Sequence, residues 1–183
     1  MDNLLWSLLG CVVLPLWLAS GVADYACHAR TDLAHTSGVR ESSMHLLQTA
    51  EIGVPMLGYL FLAHTPLLFS LLVAGVALHT LTAYVDVRYS APRRRIPVFE
   101  QFVHGFLTVL PMMALAIVAI LDWAQFRVLL HAADATADAW TLQFAPAFAP
   151  AVIAAVLSAS LLFGVLPGLL EFAHAWRVRS AAA

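Results

Sequence analysis

Acidic residues and histidines recur in this sequence at spacings that place both side chains on one helix face. In three pairs the histidine follows the acid by four residues: Asp24 and His28, Glu41 and His45, Glu100 and His104. A fourth pair, His79 and Asp86, is separated by seven residues, and spacings of four and seven both keep two side chains on the same side of a helix. With 11 acids and 8 histidines in 183 residues, chance gives roughly 0.5 acid-to-histidine pairs at a spacing of four. Three such pairs therefore indicate a shared metal site.

The number of these candidate ligands predicts two metal ions. A zinc site takes about four ligands, and a catalytic site leaves one position open, whereas the four pairs offer more than one ion needs. Two ions held about 3.5 to 4 Å apart use such a set and can activate water, and two irons can also bind and reduce dioxygen. Imidazole and carboxylate ligands suit iron, manganese or zinc, and Cys27 points about 100° away from His28 on a helix. We expect two metal ions here, with iron favoured over zinc and manganese.

Further acids and histidines extend the candidate set. Glu171 and His174 have the Glu-x-x-His spacing of carboxylate-bridged di-metal bundles, so both are candidate metal ligands, although the arginines that follow also suit a solvated, interfacial role. Glu51 follows His45 by six residues and is expected roughly 9 Å deeper in the membrane. It is the candidate catalytic residue, as a proton relay. The alternatives are that Glu51 pairs with His79, binds a metal directly, or makes a structural hydrogen bond to a neighbouring helix.

The composition predicts an integral membrane protein. Hydrophobic residues make up 62% of the chain and charged residues 11%, where soluble domains carry roughly 25% charge. The net charge of -2 and the two cysteines exclude disorder, a disulfide framework and a nucleic-acid binder that works through a basic surface. A helical span needs roughly 20 apolar residues, so the chain has room for about five spans. We expect an all-α bundle that forms a single transmembrane domain over residues 1–183.

Five apolar stretches fit that expectation. We predict spans at residues 4–28, 40–63, 67–88, 98–121 and 149–173, with an amphipathic segment at 122–148 on the outer surface. The first stretch follows Asp2 and lacks the basic residues that open a secretory signal peptide, which favours a span. All nine basic residues are arginine, and eight of them fall in the loops after the first and third spans and after the fifth span. By the positive-inside rule the N-terminus lies outside and the C-terminus is cytoplasmic, as expected for a bacterial inner (plasma) membrane.

This topology places the four acid–histidine pairs on the cytoplasmic side. Three residues are expected about one helical turn deeper than their partners, so that the ligands form two layers: Asp24, His45 and His104. His35 in the first inner loop lies on the same side, either as a loop ligand or as a plain surface histidine. His64 and His131 fall on the outer side and are not expected to take part.

Inward-facing Glu, Asp and His ligands in a helical bundle resemble the site of the ferritin-like di-iron proteins. The chain also resembles membrane hydroxylases and desaturases, whose di-metal sites lie at the cytoplasmic ends of their helices, but it lacks the His-x-x-x-His doublets of those families. The two resemblances imply a di-iron oxidoreductase. A site at the inner membrane boundary implies a lipid or other hydrophobic small molecule as the substrate, with an electron donor as a further partner.

The sequence leaves other functions open. A zinc hydrolase with Glu or Asp as general base uses the same ligands. A metal-ion transporter would bind and release the ion, although transport sites usually lie near the membrane midplane. A b-type haem protein needs two axial histidines, but this function would leave the paired carboxylates unexplained. A non-catalytic scaffold protein, the last alternative, would hold no metal.

Small residues on the last span allow close approach of another helix, within the chain or in a homo-oligomer: Ser160, Gly164 and Gly168.

Overall fold

The computed structural model describes residues 1–131 and 136–182, and most of these residues are helical. The described part of the chain contains no strand, only an isolated antiparallel bridge between Leu62 and Phe144. The main helices are α1 Asp2–Arg30, α2 Gly38–Phe61, α3 Pro66–Ser90, α4 Val98–Leu121, α5 Trp123–Leu130 and α6 Pro150–Ala181. The expected all-α architecture is confirmed.

Four of these helices, α1, α3, α4 and α6, are long and apolar enough to cross a membrane. Many of their large apolar side chains are exposed at the surface of the bundle, for example Leu16, Leu81, Ile120 and Leu161. Helix α2 has 24 residues, a length of about 36 Å, but it is not one of the four. An apolar surface and helices that satisfy their own backbone hydrogen bonds are the properties that a bilayer requires.

Prolines set the start of three helices. Pro66 begins α3, and the preceding Thr65 hydroxyl accepts a hydrogen bond from the N–H of Leu68 at 3.4 Å. Pro97 precedes α4 in an extended conformation, and Pro150 begins α6. Proline is well tolerated in a first helical turn because its missing N–H would have no intrahelical partner there. The three starts lie within one residue of the predicted starts at 67, 98 and 149.

Two of the long helices widen into short π-helical turns just before a proline. In α1 the π turn covers Leu9–Val13 and Pro15 follows it. In α6 it covers Leu161–Val165 and Pro167 follows it. Because proline has no N–H to donate, the helix before it must rearrange its hydrogen bonds, and a π turn is one such rearrangement. Both turns lie beside the two cavities described below.

Prolines inside α2 and α4 each free a backbone carbonyl. Pro55 cannot donate to the carbonyl of Glu51, and Pro111 cannot donate to the carbonyl of Leu107, each four residues earlier. Gly75 of α3 packs directly on the freed Glu51 carbonyl. A Cβ atom at position 75 would overlap that carbonyl oxygen and lie 2.8 Å from Cγ of Pro55. Glycine at this position therefore lets α2 and α3 approach closely.

The buried residues divide into an apolar half and a polar half. We call the end of the bundle with the α2–α3 turn, residues 62–65, the distal end, and the end with the α3–α4 loop, residues 91–97, the proximal end. The apolar core lies towards the distal end: Tyr59, Leu68, Phe69 and Val118. At the proximal end most of the buried side chains are acidic, imidazole or hydroxyl groups. The bundle is therefore held by apolar packing at one end and by polar contacts at the other.

Helix α5 and the segment that precedes α6 cover the distal end. The N–H of Ala63 donates to the carbonyl of Gln143 at 2.8 Å, and the N–H of Ala145 donates to the carbonyl of Phe61 at 3.0 Å. The predicted amphipathic segment at 122–148 includes the eight residues of α5, while its residues 132–135 lie outside the described part of the chain. The backbone bonds fix this segment to the α2–α3 turn.

The Gly75→Ala substitution is expected to destabilise the protein by about 1–3 kcal/mol, because the added methyl group overlaps α2 and forces a backbone shift. The matched control is Gly105→Ala in α4, where a Cβ atom would meet nothing within 4 Å and alanine favours the helix by up to about 1 kcal/mol. Thermal unfolding in detergent measures both variants. Equal stability of the two would contradict the close α2–α3 contact.

Candidate metal centre

Five helices bring carboxylates and imidazoles together at the proximal end of the bundle. Each of the five contributes one carboxylate that is no more than 8% exposed: Asp24 from α1, Glu41 from α2, Asp86 from α3, Glu100 from α4 and Glu171 from α6. Three imidazoles lie among these carboxylates: His28, His45 and His104. The structure therefore assembles three of the predicted acid–histidine pairs, the acid of the fourth, and Glu171 from the last helix.

The first ligand group contains one atom each from four residues, and these atoms lie within 4.8 Å of one another: Asp24, His28, Glu100 and His104. Asp24 Oδ1 lies 2.9 Å from His104 Nε2 and 3.5 Å from His28 Nε2. Glu100 Oε1 lies 3.3 Å from His28 Nε2. Two atoms bound to one ion at about 2.0–2.2 Å are at most roughly 4.4 Å apart. The spread of these ligand atoms therefore exceeds that limit by no more than a few tenths of an ångström.

Three atoms of this group are buried without a hydrogen-bond partner among the described residues: Asp24 Oδ1, His28 Nε2 and Glu100 Oε2. The short contacts between Asp24 Oδ1 and the two imidazoles lack the angles of a hydrogen bond. Burial of an unpartnered polar atom costs about 1–3 kcal/mol. Oxygen and nitrogen atoms that face one another in this way form an arrangement that a bound cation satisfies.

The second ligand group lies beside the first and shares one imidazole with it. It contains His28, Glu41 and His45, and Asp86 adjoins it. His45 Nε2 lies 3.1 Å from Asp86 Oδ2 and 3.9 Å from Glu41 Oε1. The rings of His28 and His45 stack with centroids 4.6 Å apart and planes inclined by 9°. The two groups therefore lie side by side and share His28, an arrangement that a pair of adjacent ions would need.

Glu171 connects the two groups through its two carboxylate oxygens. Oε2 accepts a hydrogen bond from His28 Nδ1 at 2.7 Å, and Oε1 accepts one from His45 Nδ1 at 2.6 Å. A neutral histidine that donates from Nδ1 keeps the lone pair on Nε2. Carboxylates commonly orient metal-binding histidines in this manner. Glu171 therefore turns Nε2 of both imidazoles towards the remaining acids.

Arg94, in the α3–α4 loop, is a buried cation of the site that sequence reasoning missed. Its Nε donates to both oxygens of Glu41 at 3.0 and 3.1 Å, and its terminal nitrogen donates to Glu41 and to Glu100. Burial alone would lower the pKa of Arg94, but the hydrogen bonds from Glu41 and Glu100 outweigh it and raise the pKa above its ordinary value. Arg93 and Arg95 on either side are exposed, so only the fold distinguishes Arg94 from its neighbours.

The centre contains more negative than positive charge. Five buried carboxylates face one buried arginine, so four negative charges are uncompensated when the three histidines are neutral. Uncompensated charge is strongly unfavourable in a buried site. Protonation of all three imidazoles would offset three of these four charges, whereas two divalent cations would offset all four. Two divalent cations, one for each ligand group, would therefore neutralise the charge of the centre.

His79 does not join this centre in the structure. Its Nδ1 lies 3.2 Å from the carbonyl oxygen of Gln48, and its Nε2 lies 3.1 Å from the carbonyl oxygen of Leu107. The Leu107 carbonyl is the one that Pro111 leaves without a helical partner. A donor from Nε2 of His79 satisfies that carbonyl, so the contacts of His79 are those of a structural residue. The proline four residues after Leu107 is the sequence signal for this role.

Three further candidates also lie apart from the two ligand groups. Glu51 accepts a hydrogen bond from the Thr82 hydroxyl at 2.7 Å, which is a contact between α2 and α3. His174 is exposed, unlike Glu171 one helical turn before it. His35 is exposed and pairs with Asp32, with 2.6 Å between Nδ1 and Oδ1.

An apolar cavity of about 550 Å³ leads to the centre between α1, α2 and α6. Its polar end is formed by the ligand groups: Asp24, His28, His45 and Glu171. The small residues predicted to allow close helix approach lie along its wall, where Gly164 adjoins Leu18 and Gly168 adjoins Leu46. Close approach therefore occurs between helices of the same chain, and the missing side chains leave space for the cavity.

A separate polar cluster closes the distal end of the bundle. The Tyr59 hydroxyl donates to Asp122 Oδ2 at 2.7 Å, and His64 Nδ1 lies 3.0 Å from the same oxygen. His64 Nε2 donates to the carbonyl of Tyr59 at 3.0 Å. Burial opposes charge on both partners, but the hydrogen bond between them outweighs it: the pKa of His64 is raised and that of Asp122 is lowered. His64 was expected to take no part in the metal site. It is remote from that site, and its ring nitrogens contact Asp122 and Tyr59 instead.

No family model, no curated protein and no solved structure matches this chain.

The Arg94→Gln substitution is expected to destabilise the protein by about 3–5 kcal/mol, because it leaves Glu41 and Glu100 buried without a cation. The matched control is Arg95→Gln in the same loop. Arg95 is exposed, so its loss should change stability by no more than about 0.5 kcal/mol. Thermal unfolding in detergent at neutral pH compares the two. Similar melting temperatures would show that the buried ion pairs do not stabilise the fold.

The His64–Asp122 pair predicts a pH-dependent stability of the distal end. Because the pKa of His64 is raised, its contribution is complete below the ordinary value of 6.5 and is lost as the pH rises through the raised value. Because the pKa of Asp122 is lowered, its contribution is present above the ordinary value of 3.8 and is lost as the pH falls through the lowered value. The pair should therefore contribute most between those two ordinary values, by about 1 kcal/mol.

The measurement is the difference in melting temperature between the wild type and His64→Gln as a function of pH. We expect the difference to be largest near about pH 5 and to shrink in alkaline buffer. A difference that does not change with pH would mean that His64 acts only through packing against Tyr59.

Proposed function

We propose that the proximal end of this protein is a di-metal centre, with iron as the favoured metal. The first ion is held by the group that contains Asp24, Glu100 and His104, and the second by the group that contains Glu41 and His45. The observation that carries the proposal is the convergence of five buried carboxylates and three imidazoles around one buried arginine, which leaves four negative charges uncompensated when the imidazoles are neutral. A hydrogen-bonded network without ions would leave buried ligand atoms unsatisfied.

We propose that the centre catalyses the oxidation of a hydrophobic substrate. Two irons bound by carboxylate and imidazole supply redox chemistry with dioxygen. The substrate class follows from the cavity, whose volume of about 550 Å³ falls within the range of small-molecule sites, about 300–1,000 Å³. Its walls are apolar and its end is formed by the ligand groups, so a lipid chain or similar molecule can place one carbon atom next to the centre. An electron donor is the further partner that this chemistry requires.

The residues around the ions have separate roles in this proposal. Glu171 orients His28 and His45 through their Nδ1 atoms, which keeps Nε2 available as a ligand. Arg94 holds Glu41 and Glu100 in place and offsets part of the negative charge. Ser90 donates to Asp86 Oδ1 at 3.3 Å and fixes that carboxylate next to His45. These contacts set the ligand positions before an ion binds.

We further propose that α2 spans the membrane with α1, α3, α4 and α6, and that the proximal end is cytoplasmic. Eight of the nine basic residues belong to segments at the proximal end, and Arg127 in α5 lies at the distal end. Arginine enrichment in short loops on one side marks the cytoplasmic side of a membrane protein. This topology places the N-terminus outside, in a bacterial inner membrane. Apolar substrates would then reach the cavity from the bilayer between α1, α2 and α6.

The test of the metal centre is the metal content and absorption spectrum of protein purified without added metal. About two irons per chain, with charge-transfer absorption in the near ultraviolet, supports the di-iron oxidoreductase. Zinc in place of iron would instead favour the hydrolase, and a sharp Soret band would indicate haem. Protein that holds no metal under any loading condition would remove the proposal.

Substitutions should divide the histidines into ligands and structural residues. His104→Ala removes an imidazole from the first group and is expected to reduce the metal content by at least about tenfold. His64→Ala at the distal end and His79→Gln, whose amide can still donate to the Leu107 carbonyl, should keep the wild-type metal content. Elemental analysis of the three purified variants provides the measurement. Equal retention in all three would contradict the ligand assignment.

A further inference from the structure

A second cavity, of about 660 Å³, occupies the distal half of the bundle between α1, α2 and α4. It continues the line of the first cavity, the one of about 550 Å³ that ends at the ligand groups. On α1 the first cavity is lined from His28 to Trp17, and the second from Trp17 to Trp6. On α6 the boundary falls between Leu157, which lines the first cavity, and Val156, which lines the second. The two cavities therefore follow one another along the bundle.

Two side chains lie at the boundary between the cavities. Trp17 of α1 and Met56 of α2 line both of them, and we call this pair the partition. Trp17 also packs against a buried apolar cluster that joins α1 to α4: Val13, Leu110 and Ile117. Close packing holds a side chain in a defined rotamer, so the larger member of the partition is fixed in place.

The first cavity is long and narrow along the helices. Its lining residues fall within 17–28 of α1, 45–57 of α2 and 157–171 of α6. At about 1.5 Å per residue these segments are roughly 16–21 Å long, whereas a compact site of this volume would be about 10 Å across. The shape therefore suits an extended chain better than a compact ring system.

The polar part of this wall lies next to the ligand groups. Gln48 and Thr49 line the cavity one helical turn beyond His45, and the residues that line it further towards the distal end are mostly apolar. Ser160 and Trp17 are exceptions, but their side-chain polar atoms are buried and have almost no accessible surface. A molecule with one polar end and an apolar chain therefore matches the wall when its polar end lies at the ligand groups.

The first cavity also borders the apolar outer surface of the bundle. Val54 of α2 is 66% exposed and Leu161 of α6 is 57% exposed, and both line the cavity. Helix α6 packs against α2 mainly through its proximal half, residues 166–181. The wall between the distal halves of α2 and α6 is therefore the side from which a chain dissolved in a bilayer reaches the cavity.

We propose that the first cavity binds a single-chain amphiphile, with its polar end at the ligand groups, and that Trp17 limits the length of its alkyl chain. The polar end is uncharged, because the two proposed ions already neutralise the carboxylates. An extended chain advances about 1.25 Å per carbon, given carbon–carbon bonds of about 1.5 Å and bond angles of about 111°. Roughly 13–17 carbons therefore reach from the ligand groups to the partition, and a longer chain would have to pass Trp17 into the second cavity.

This inference rests on the proposed function for the identity of the site that receives the polar end. The length limit depends only on the cavity and the partition, so it is measured in protein from which metal has been removed. Metal content tests the proposed centre, and the position of the chain end tests this inference. Failure of either one is therefore distinguishable from failure of the other.

The experiment uses two primary alcohols of about 14 and about 20 carbons, each with a diazirine at the far end of the chain, in nanodiscs that contain the full protein. Illumination attaches the chain end to the nearest side chain, and mass spectrometry identifies the labelled residue. In the wild type the shorter probe should label the partition, Trp17 or Met56. Neither probe should label Val13 or Leu60, which line the second cavity and are at most 5% exposed, so lipid-dissolved probe does not reach them.

The variant Trp17→Ala should let the longer probe label Val13 and Leu60 at least about tenfold more than in the wild type, because the chain can then enter the second cavity. Met56→Ala opens the partition from α2 and should have the same effect, and it replaces Trp17→Ala if that variant does not fold. The matched control is Trp123→Ala, which should label as the wild type does, because Trp123 is 53% exposed and lines neither cavity.

Three results would overturn the length limit. The first is labelling of Val13 or Leu60 by the longer probe in the wild type. The second is a labelling pattern that neither partition variant changes. The third is labelling by the shorter probe of residues on the outer surface only, such as Val54, which would mean that the chain stays in the bilayer. Labelling of the partition in protein that never holds metal would keep the chain site and remove the proposed oxidation.

Discussion

The main physical constraint on this structure is that its proximal end buries more carboxylate groups than cationic groups. Each of five helices places one acid in a region with little access to water, where like charges repel strongly and bulk solvent screens them poorly. Arg94 offsets one charge by binding Glu41 and Glu100 together, and Glu171 ties the imidazoles of α1 and α2 to α6. Such an arrangement is unfavourable as a purely structural element, and this is the reason for the proposal that it holds cations.

The rest of the structure supplies the rigidity that this end requires. Apolar packing is concentrated at the distal end, where α5 and the segment before α6 are bonded to the α2–α3 turn. Prolines within the helices leave carbonyls without partners and bend or widen the backbone. Each irregularity has a neighbour that fits it: Gly75 packs on the carbonyl of Glu51, and His79 donates to the carbonyl of Leu107. The two cavities lie along the same irregular segments.

Much of this arrangement follows from periodicity in the sequence. The all-α class is confirmed, and the acid–histidine spacing identified seven of the eight side chains that the structure gathers at the proximal end, with Glu171 predicted from its own Glu-x-x-His pattern. Periodicity works here because a helix converts spacing along the chain directly into direction. The span of α2 and the orientation of the bundle stay predictions.

The features that sequence reasoning missed depend on contacts between distant segments. Arg94 is one of three consecutive arginines, and only the path of the α3–α4 loop turns it inward. His79 satisfies a carbonyl on another helix, so its position on the correct face of α3 did not reveal its partner. The Tyr59–His64–Asp122 cluster joins a helix, a turn and a helix end, for which no spacing rule exists.

The position of Glu171 on α6 also orders the events of biosynthesis. The helices α1 to α4 are synthesised before α6, yet His28 and His45 receive their hydrogen bonds from Nδ1 to Glu171 only when α6 has packed between α1 and α2. In the proposed centre, the Nε2 atoms of both imidazoles would therefore take up their ligand positions only after the last helix has packed against the others.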